Sequence, residues 1–274
     1  MIKGARPRPE RATKAKAAPP RLLVIAGSDS SAGAGLQADL KTAQNFHVYA
    51  QTVVTAVTAQ DTLGVHAVEA MPPEMVRAQI KVALGDIGAD VIKIGMLANA
   101  EVARAVGEAL SETKIPIVLD PVLVSSSGRA LLDRAGIEIL KSHLLLRANL
   151  VTPNLDECEV LVGLRPQDDA TLRKAAQAFH SLGAAAILFK GGHGVGATSR
   201  DVLAQAGKDL AIFESPRQQT RHTHGTGCVL STAIACGLAV DRTMEEAVRE
   251  AHEFVQDAIR TAPGLGRGHG PLKL

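Results

Sequence analysis

The sequence has 274 residues and a formal net charge of +2, with 46% hydrophobic and 21% charged residues. This composition is ordinary for a globular protein, and the length suffices for one large α/β domain or two small ones. Aromatic residues make up only 2% of the chain, which removes the stacking surfaces that single-stranded nucleic-acid binding uses. No apolar run approaches the roughly 18 residues of a membrane span. We therefore expect neither a nucleic-acid partner nor a membrane.

The basic charge lies in the amino-terminal segment. Residues 1–20 hold six Lys or Arg and one Glu, a net charge of +5, which leaves −3 for the remaining chain. This Pro- and Ala-rich segment predicts a disordered basic tail in front of a single domain at 21–274. Three cysteines, Cys158, Cys228 and Cys236, do not suggest a disulfide framework, so we expect the reducing environment of a cytoplasmic protein.

Short apolar runs alternate with helical patterns along the chain. The apolar runs predict strands at 22–26, 53–57, 91–94, 115–119, 150–152 and 185–190, followed by a hairpin that joins 202–204 to 210–213. Helical patterns occupy 36–43, 73–85, 99–112, 170–182 and 244–261. Strands that alternate with helices predict one α/β domain.

The first predicted strand runs into a loop of small residues, 27–35, and then into a helix. Strand, glycine loop and helix form the usual start of an α/β unit that binds a nucleotide or small ligand. The loop matches neither a P-loop nor the dinucleotide fingerprint. Asp29 and the packed glycines favour a backbone that faces a substrate, and a plain tight turn is the alternative.

Polar residues follow the predicted strands, at the sheet edge where open α/β sheets bind ligands. Gln60 can donate and accept hydrogen bonds together, which suits a ring edge such as that of an aminopyrimidine; a solvated loop residue is the alternative. Met96 is either core or the apolar wall of a site for a flat ring. Asp120 is a candidate for managing charge near phosphates or a metal, and Lys190 suits phosphate contact. A turn cap and an exposed strand-end lysine are their respective alternatives.

Asn154 and Glu157 follow the predicted strand at 150–152. Their spacing resembles a capping box, with Asn in place of Ser or Thr. The functional interpretation places the Glu157 carboxylate beside a hydrated Mg²⁺, which prefers few carboxylates and many waters. Both interpretations can hold together.

Residues 225–228, Gly-Thr-Gly-Cys, predict a loop that tightens on two glycines and enters an apolar helix. The first N–H groups of such a helix and its dipole favour an anion, such as a transferring phosphoryl group. At a helix start the pKa of a thiol is typically lowered, so we expect Cys228 to ionise readily. A glycine-rich helix entry with a buried, inert cysteine is the alternative.

Taken in order, these motifs resemble the hydroxymethylpyrimidine/phosphomethylpyrimidine kinases of thiamine biosynthesis, within the ribokinase-like superfamily. The resemblance covers 22–271 and rests on seven stretches, 26–42, 58–60, 93–97, 119–122, 152–157, 190–193 and 223–228. It implies a mostly parallel sheet with helices on both faces, ATP and Mg²⁺, a homodimer, and two successive phosphoryl transfers to one pyrimidine.

The resemblance also implies roles for single residues. Those that would line the pyrimidine site are Gly27, Ala34, Gln60, Met96, Val122 and Cys228. Those that would serve Mg²⁺ and the ATP phosphates are Asp120, Asn154, Glu157 and Lys190, and the anion hole would be Gly225, Thr226, Gly227 and Cys228. Cys228 stands where the wider superfamily usually has an aspartate base, and some pyridoxal kinases share this cysteine. A pyridoxal kinase and a non-catalytic ligand-binding module are the alternatives.

Overall fold

The computed structural model describes residues 18–125, 127–191 and 196–274. The predicted basic tail lies outside the described residues except for 18–20. The last two positions of the 190–193 motif, Gly192 and His193, also lie outside them.

Nine strands form one sheet within the described residues. They are β1 (Arg21–Asp29), β2 (Tyr49–Asp61), β3 (Gly64–Ala70), β4 (Val91–Ile94), β5 (Ile117–Leu119), β6 (Leu150–Val151), β7 (Ala186–Phe189), β8 (Thr198–Gln205) and β9 (Ala211–Pro216). Their spatial order is β3-β2-β1-β4-β5-β6-β7-β8-β9. Neighbours from β2 to β7 run parallel, whereas β3 at one edge and β8 and β9 at the other pair antiparallel. The prediction of a mostly parallel sheet is confirmed.

Helices cover both faces of this sheet. They are α1 (Gly35–Asn45), α2 (Pro73–Gly85), α3 (Ala100–Ala109), α4 (Arg134–Ile139), α5 (Leu155–Val162), α6 (Asp169–Ser181), α7 (Thr226–Ala239) and α8 (Met244–Arg260). Alternate residues of β1 point to opposite faces: Leu23 and Ile25 join one hydrophobic core, and Leu22 and Val24 join the other. The first core contains α2, α3 and α6, and the second contains α1, α7 and α8. No described helix has the length and apolar character needed to cross a membrane.

The predicted elements recur with shifted ends, and one hairpin was missed. The strand predicted at 53–57 is much longer, because its polar continuation pairs with β3 in an antiparallel hairpin at the sheet edge. Gln60 therefore lies within a strand, opposite Val65, rather than beyond its end. Helix α4 and an irregular helical stretch at 140–147 were not predicted either.

The capping box predicted at Asn154 and Glu157 is present, and α8 begins with a second one. In α5, Asn154 and Glu157 form a reciprocal capping box, and Thr243 and Glu246 do the same in α8. Each pair satisfies two backbone N–H groups that the helix itself leaves without partners.

The loop at 264–271 packs along the sheet edge that carries β2 and β3. Thr62 in the β2–β3 turn accepts, through its hydroxyl, the N–H groups of Arg267 and Gly268. The backbone N–H of His224 donates to the carbonyl of Gly270, and His224 forms an isolated bridge with Pro271. The loop thus joins the hairpin to the segment that precedes α7.

Candidate active site

A cleft of about 810 Å³ opens at the carboxyl ends of the parallel strands. Residues at or just beyond the carboxyl ends of β1, β2, β4, β5, β6 and β7 all reach it, as open parallel sheets allow. All fourteen residues singled out from the sequence line it: Gly27, Asp29, Ala34, Gln60, Met96, Asp120, Val122, Asn154, Glu157, Lys190, Gly225, Thr226, Gly227 and Cys228. Their individual roles stay predictions, but the structure brings them into one place.

Asp29 organises the loop between β1 and α1. Its carboxylate is 3% exposed and accepts the backbone N–H groups of Ser31, Gly33 and Ala34. Although burial opposes ionisation, hydrogen bonds from His224 and from this loop hold the pKa of Asp29 below its ordinary value. The carboxylate that was expected to face a substrate is thus largely occupied in shaping its own loop.

His224 was not singled out from the sequence, although it connects two residues that were. Its ring Nε2 lies 2.9 Å from Asp29 Oδ2 and 2.9 Å from the side-chain amide nitrogen of Gln60. The three side chains come from positions 29, 60 and 224, so this contact is not visible in the order of the chain. The contact places the amide of Gln60 beside the His224 ring at the wall of the cleft.

Helix α7 begins at the floor of the cleft. Glycine is favoured at positions 225 and 227 there, for a different physical reason at each position. Gly225 has φ +85°, and a side chain there would collide with the carbonyl oxygen of Gly33. Gly227 would place a Cβ 3.3 Å from Lys190 Nζ and 3.5 Å from Asp120 Oδ2. Its missing side chain leaves room for an anion between the helix start and the lysine.

Lys190 lies between two buried carboxylates. Its Nζ is 2.7 Å from Asp120 Oδ1 and 3.7 Å from Glu157 Oε2. Burial favours the neutral amine, but the charges of Asp120 and Glu157 raise the pKa of Lys190. Burial likewise opposes ionisation of Asp120, whereas the charges of Lys190 and Lys93 hold its pKa below the ordinary value. Lys190 is therefore a cation and Asp120 an anion at neutral pH.

Glu157 combines the capping and electrostatic features expected of it. Its Oε2 accepts the backbone N–H of Asn154 at 2.8 Å, and its own N–H donates to Asn154 Oδ1 at 2.8 Å. Burial raises the pKa of Glu157 to about 7, more than Lys190 lowers it. The capping interpretation is confirmed, and the role in metal binding stays a prediction.

The donor set fits a hydrated Mg²⁺ better than a metal held by protein alone. Asp120 and Glu157 offer two carboxylates beside one lysine, and within the described ranges no group of three or more His, Cys, Asp or Glu side chains could enclose an ion. Mg²⁺ in kinases is typically bound by one or two carboxylates together with phosphate oxygens and water.

The expectation that the thiol of Cys228 has a lowered pKa is wrong. The side chain is half-buried in the first turn of α7, and burial raises its pKa to about 11, while Lys93 acts in the opposite direction. The helix-start rule concerns an exposed thiol, and here desolvation outweighs the helix end. Cys228 is therefore a neutral thiol at physiological pH.

Sequence reasoning also missed two buried polar contacts next to the cleft, one of them an ion pair. Lys93 and Asp39 form an ion pair with no exposed side-chain surface. The lysine inside the apolar strand Val-Ile-Lys-Ile was the available signal, since a buried charge requires a partner. Asp201 accepts the N–H of Gly191, next to Lys190, and contacts His252 at 2.9 Å.

A mostly parallel α/β sheet whose strand ends bring a helix start, a lysine and two carboxylates into one cleft is suited to phosphoryl transfer. Together with the relatives reported next, this arrangement identifies an ATP-dependent kinase of the ribokinase-like class. The chain belongs to the phosphomethylpyrimidine kinase family, whose model matches residues 29–273. It is 45% identical over 254 residues to a hydroxymethylpyrimidine/phosphomethylpyrimidine kinase of Streptomyces coelicolor, covering 93% of this chain and 94% of that protein.

Solved structures share the fold over most of both chains. The ADP complex of Bacillus subtilis pyridoxal kinase superposes with a TM-score of 0.85 at 33% identity, covering 93% of this chain and 97% of that one. The phosphomethylpyrimidine kinase of Clostridium difficile superposes with a TM-score of 0.77 at 34% identity, covering 87% and 99%. ATP is thus the co-substrate that the class and its relatives indicate.

Proposed function

We propose that this chain transfers the γ-phosphoryl group of ATP to 4-amino-5-hydroxymethyl-2-methylpyrimidine and then phosphorylates the resulting monophosphate to the diphosphate, for thiamine biosynthesis. The observation that carries the proposal is the meeting of the α7 start, Lys190 and Cys228 in one cleft with Gln60 and Met96. The name and the high coverage of the Streptomyces coelicolor relative support the choice of substrate.

Phosphoryl transfer requires mainly alignment and neutralisation of charge. The backbone N–H groups of the first turn of α7 and the ammonium of Lys190 bind oxygens of the transferring group, in the space that Gly227 leaves open. Asp120 and Glu157, with Asn154 fixing the latter, would hold the hydrated Mg²⁺ of the nucleotide. When bound, that ion supplies positive charge to the phosphate oxygens.

Gln60 and Met96 would orient the pyrimidine together with Gly27, Ala34 and Val122. The amide nitrogen of Gln60 lies 2.9 Å from His224 Nε2 at the wall of the cleft, and the amide can both donate to and accept from a ring edge. A Cβ added at Gly27 would lie only 2.9 Å from the sulfur of Met96. Gly27 and the Met96 thioether are therefore packed closely together and form one wall of the proposed site.

Cys228 would be the base of the first transfer. The thiolate form of Cys228, a small fraction at neutral pH, accepts the proton of the substrate's hydroxymethyl group as that oxygen attacks the γ-phosphorus and the bond to ADP breaks. The second acceptor is an already ionised phosphate and needs no base. A thiol that is neutral at rest does not repel this anion, whereas a carboxylate at the same position would.

The test is ADP release with Mg·ATP and, in separate runs, hydroxymethylpyrimidine, its monophosphate and pyridoxal. Turnover of both pyrimidines supports the proposal. Cys228→Ser should slow the first transfer more than the second, while Cys158→Ala, at a buried thiol outside the cleft, should leave the ratio of the two rates unchanged. Equal losses in both transfers would contradict the role of Cys228 as base.

Pyridoxal is the second candidate substrate, because the structural relative from Bacillus subtilis is a pyridoxal kinase with the same fold over nearly the whole chain. Turnover of pyridoxal alone would move the assignment to a pyridoxal kinase that uses the same cleft. Ligand binding without any turnover would favour a non-catalytic binding module.

We further propose that the enzyme is a cytoplasmic homodimer, with one kinase domain from residue 21 onward. Light scattering coupled to size-exclusion chromatography measures the assembly state, and a monomer mass at micromolar concentration would contradict the dimer.

A further inference from the structure

Lys93 is a charged side chain in the middle of an otherwise apolar strand, β4. Neither its side chain nor that of Asp39 in α1 has any exposed surface. Lys93 Nζ lies 2.9 Å from each carboxylate oxygen of Asp39. Removing two charges from water costs several kcal/mol per ion, and replacing a buried pair by apolar residues is often neutral or stabilising. Stability alone is therefore a weak reason for this pair.

The pair lies directly beneath the start of α7. Thr232 Oγ1 donates to Asp39 Oδ1 at 2.6 Å, and Thr232 is four residues after Cys228, on the same face of the helix. Asp39 is four residues after Gly35, where α1 begins. The pair thus connects the first turns of both helices to the central strand.

Cys228 and Gly35, which precede Thr232 and Asp39 by four residues each, both line the cleft. The backbone N–H of Gly35 acts on the thiol and favours its ionised form. A Cβ at Gly95, two residues beyond Lys93, would lie 3.1 Å from Lys93 Nζ, so the ammonium is close to the cleft end of β4. The buried cation and the candidate base therefore belong to one cluster.

We propose that Lys93 is a positioning residue whose ammonium, held by Asp39, which Thr232 in turn hydrogen-bonds, stabilises the thiolate form of Cys228 that accepts the substrate proton in the first phosphoryl transfer. The proposal rests on the proposed function, in which Cys228 is the base of that step. It gives the pair a role in the reaction in addition to its role in packing.

Four charged groups act on the thiol, and they come from four elements: Lys93 in β4, Asp39 in α1, Asp120 after β5 and Lys190 after β7. The two lysines favour the thiolate, and the two carboxylates oppose it. Burial raises the pKa of Cys228 most, and the charge of Lys93 is the largest influence that lowers it. Removing Lys93 should therefore raise the pKa of the Cys228 thiol, whereas removing Asp39 should lower it.

The experiment measures alkylation of Cys228 by iodoacetamide between pH 7 and 10 in the full chain without substrate, with the modified site identified by mass spectrometry. Asp39→Asn leaves the ammonium without its counter-charge and should accelerate alkylation severalfold. Lys93→Met should slow it by about tenfold, since each unit of thiol pKa changes the thiolate fraction about tenfold below the midpoint. Cys158 and Cys236 are buried and serve as internal references.

A purely structural role predicts changes in the same direction for both variants, because each would loosen the same packing. That result, or unchanged alkylation in both, would overturn the proposal. If either single variant fails to fold, the combined Lys93→Met and Asp39→Asn variant decides, because it leaves no unpaired buried charge. It should alkylate more slowly than the wild type, and an unchanged rate would overturn the proposal.

Kinetics separate this proposal from the proposed function. Lys93→Met should lower kcat of the first transfer more than that of the second, with KM for ATP unchanged. If Cys228→Ser leaves the first transfer intact, the base role fails, and the catalytic part of this proposal fails with it. If Cys228→Ser slows the first transfer but alkylation is insensitive to Lys93 and Asp39, only the proposal for Lys93 fails.

Discussion

Replacing Glu157 by glutamine tests the electrostatics of the cleft through the free energy of unfolding. Glu157 is 5% exposed, and burial raises its pKa from 4.5 to about 7. The protonated carboxyl is therefore the form that the folded protein favours. Its contribution to stability is fully present below pH 4.5 and is lost as the pH rises through 7. The difference between the unfolded pKa of 4.5 and the folded pKa of about 7 corresponds to about 3 kcal/mol of unfolding free energy, at about 1.4 kcal/mol per pKa unit.

Glutamine at this position does not titrate, and its amide oxygen can still accept the N–H of Asn154. The assay is urea unfolding of both proteins at several values from pH 5 to pH 8, with EDTA and without nucleotide. We expect the free energy of unfolding of Glu157→Gln, relative to the wild type, to increase by about 1–3 kcal/mol over this range.

Glu246 provides a matched control because it occupies the same capping-box position in α8 on the surface. Hydrogen bonds from Thr243 lower the pKa of Glu246, so its contribution to stability is present above its unfolded pKa and is lost as the pH falls. Because that loss occurs below pH 4.5, the stability of Glu246→Gln should run parallel to that of the wild type from pH 5 to pH 8. Parallel curves for wild type and Glu157→Gln would refute the conclusion that burial dominates at Glu157.

Three further predictions concern the rest of the cleft and its support. Gly227→Ala places a methyl group 3.3 Å from Lys190 Nζ, so KM for ATP should rise at least about tenfold in steady-state assays, whereas thermal stability should change little because alanine is a good helix former. Thr243→Ala removes the cap of α8 and should cost about 1 kcal/mol in urea unfolding, with both transfer rates unchanged. Hydrogen bonds lower the pKa of Asp29, so its contribution to stability is present above its unfolded pKa and is lost in acid. In thermal denaturation from pH 3 to 6, the melting temperature of Asp29→Asn should therefore fall less steeply with decreasing pH than that of the wild type.

The sequence predicted the parallel core and the place of the cleft because both depend on local patterns. Apolar runs identified the central strands, and strand ends of a parallel sheet share one edge. The β2–β3 hairpin was not predicted because its polar, alternating residues lie at a sheet edge, where the apolar signal is weak. A search for apolar runs therefore finds central strands more readily than edge strands.

The chemistry of single groups was harder to predict than their location. The rule for a thiol at a helix start is local, but the pKa of Cys228 depends on burial and on Lys93 and Asp39, which lie far away in the chain. His224 was missed for the same reason, since its partner Asp29 is 195 positions away. Residue types and motifs predicted which side chains meet in the cleft, and only the packed structure defines their protonation.

The loop at 264–271 has a consequence for how the enzyme is made. The end of the cleft proposed for the pyrimidine joins Asp29, Gln60 and His224, and the backbone of His224 donates to the carbonyl of Gly270. A ribosome adds residues from the amino terminus at about 5–20 per second, so residue 270 must leave the exit tunnel before these contacts can form together. The central strands can assemble earlier in translation, whereas this end of the cleft is completed only once Gly270 has emerged. A nascent chain that stalls earlier should therefore bind the pyrimidine poorly even when most of its sheet has formed.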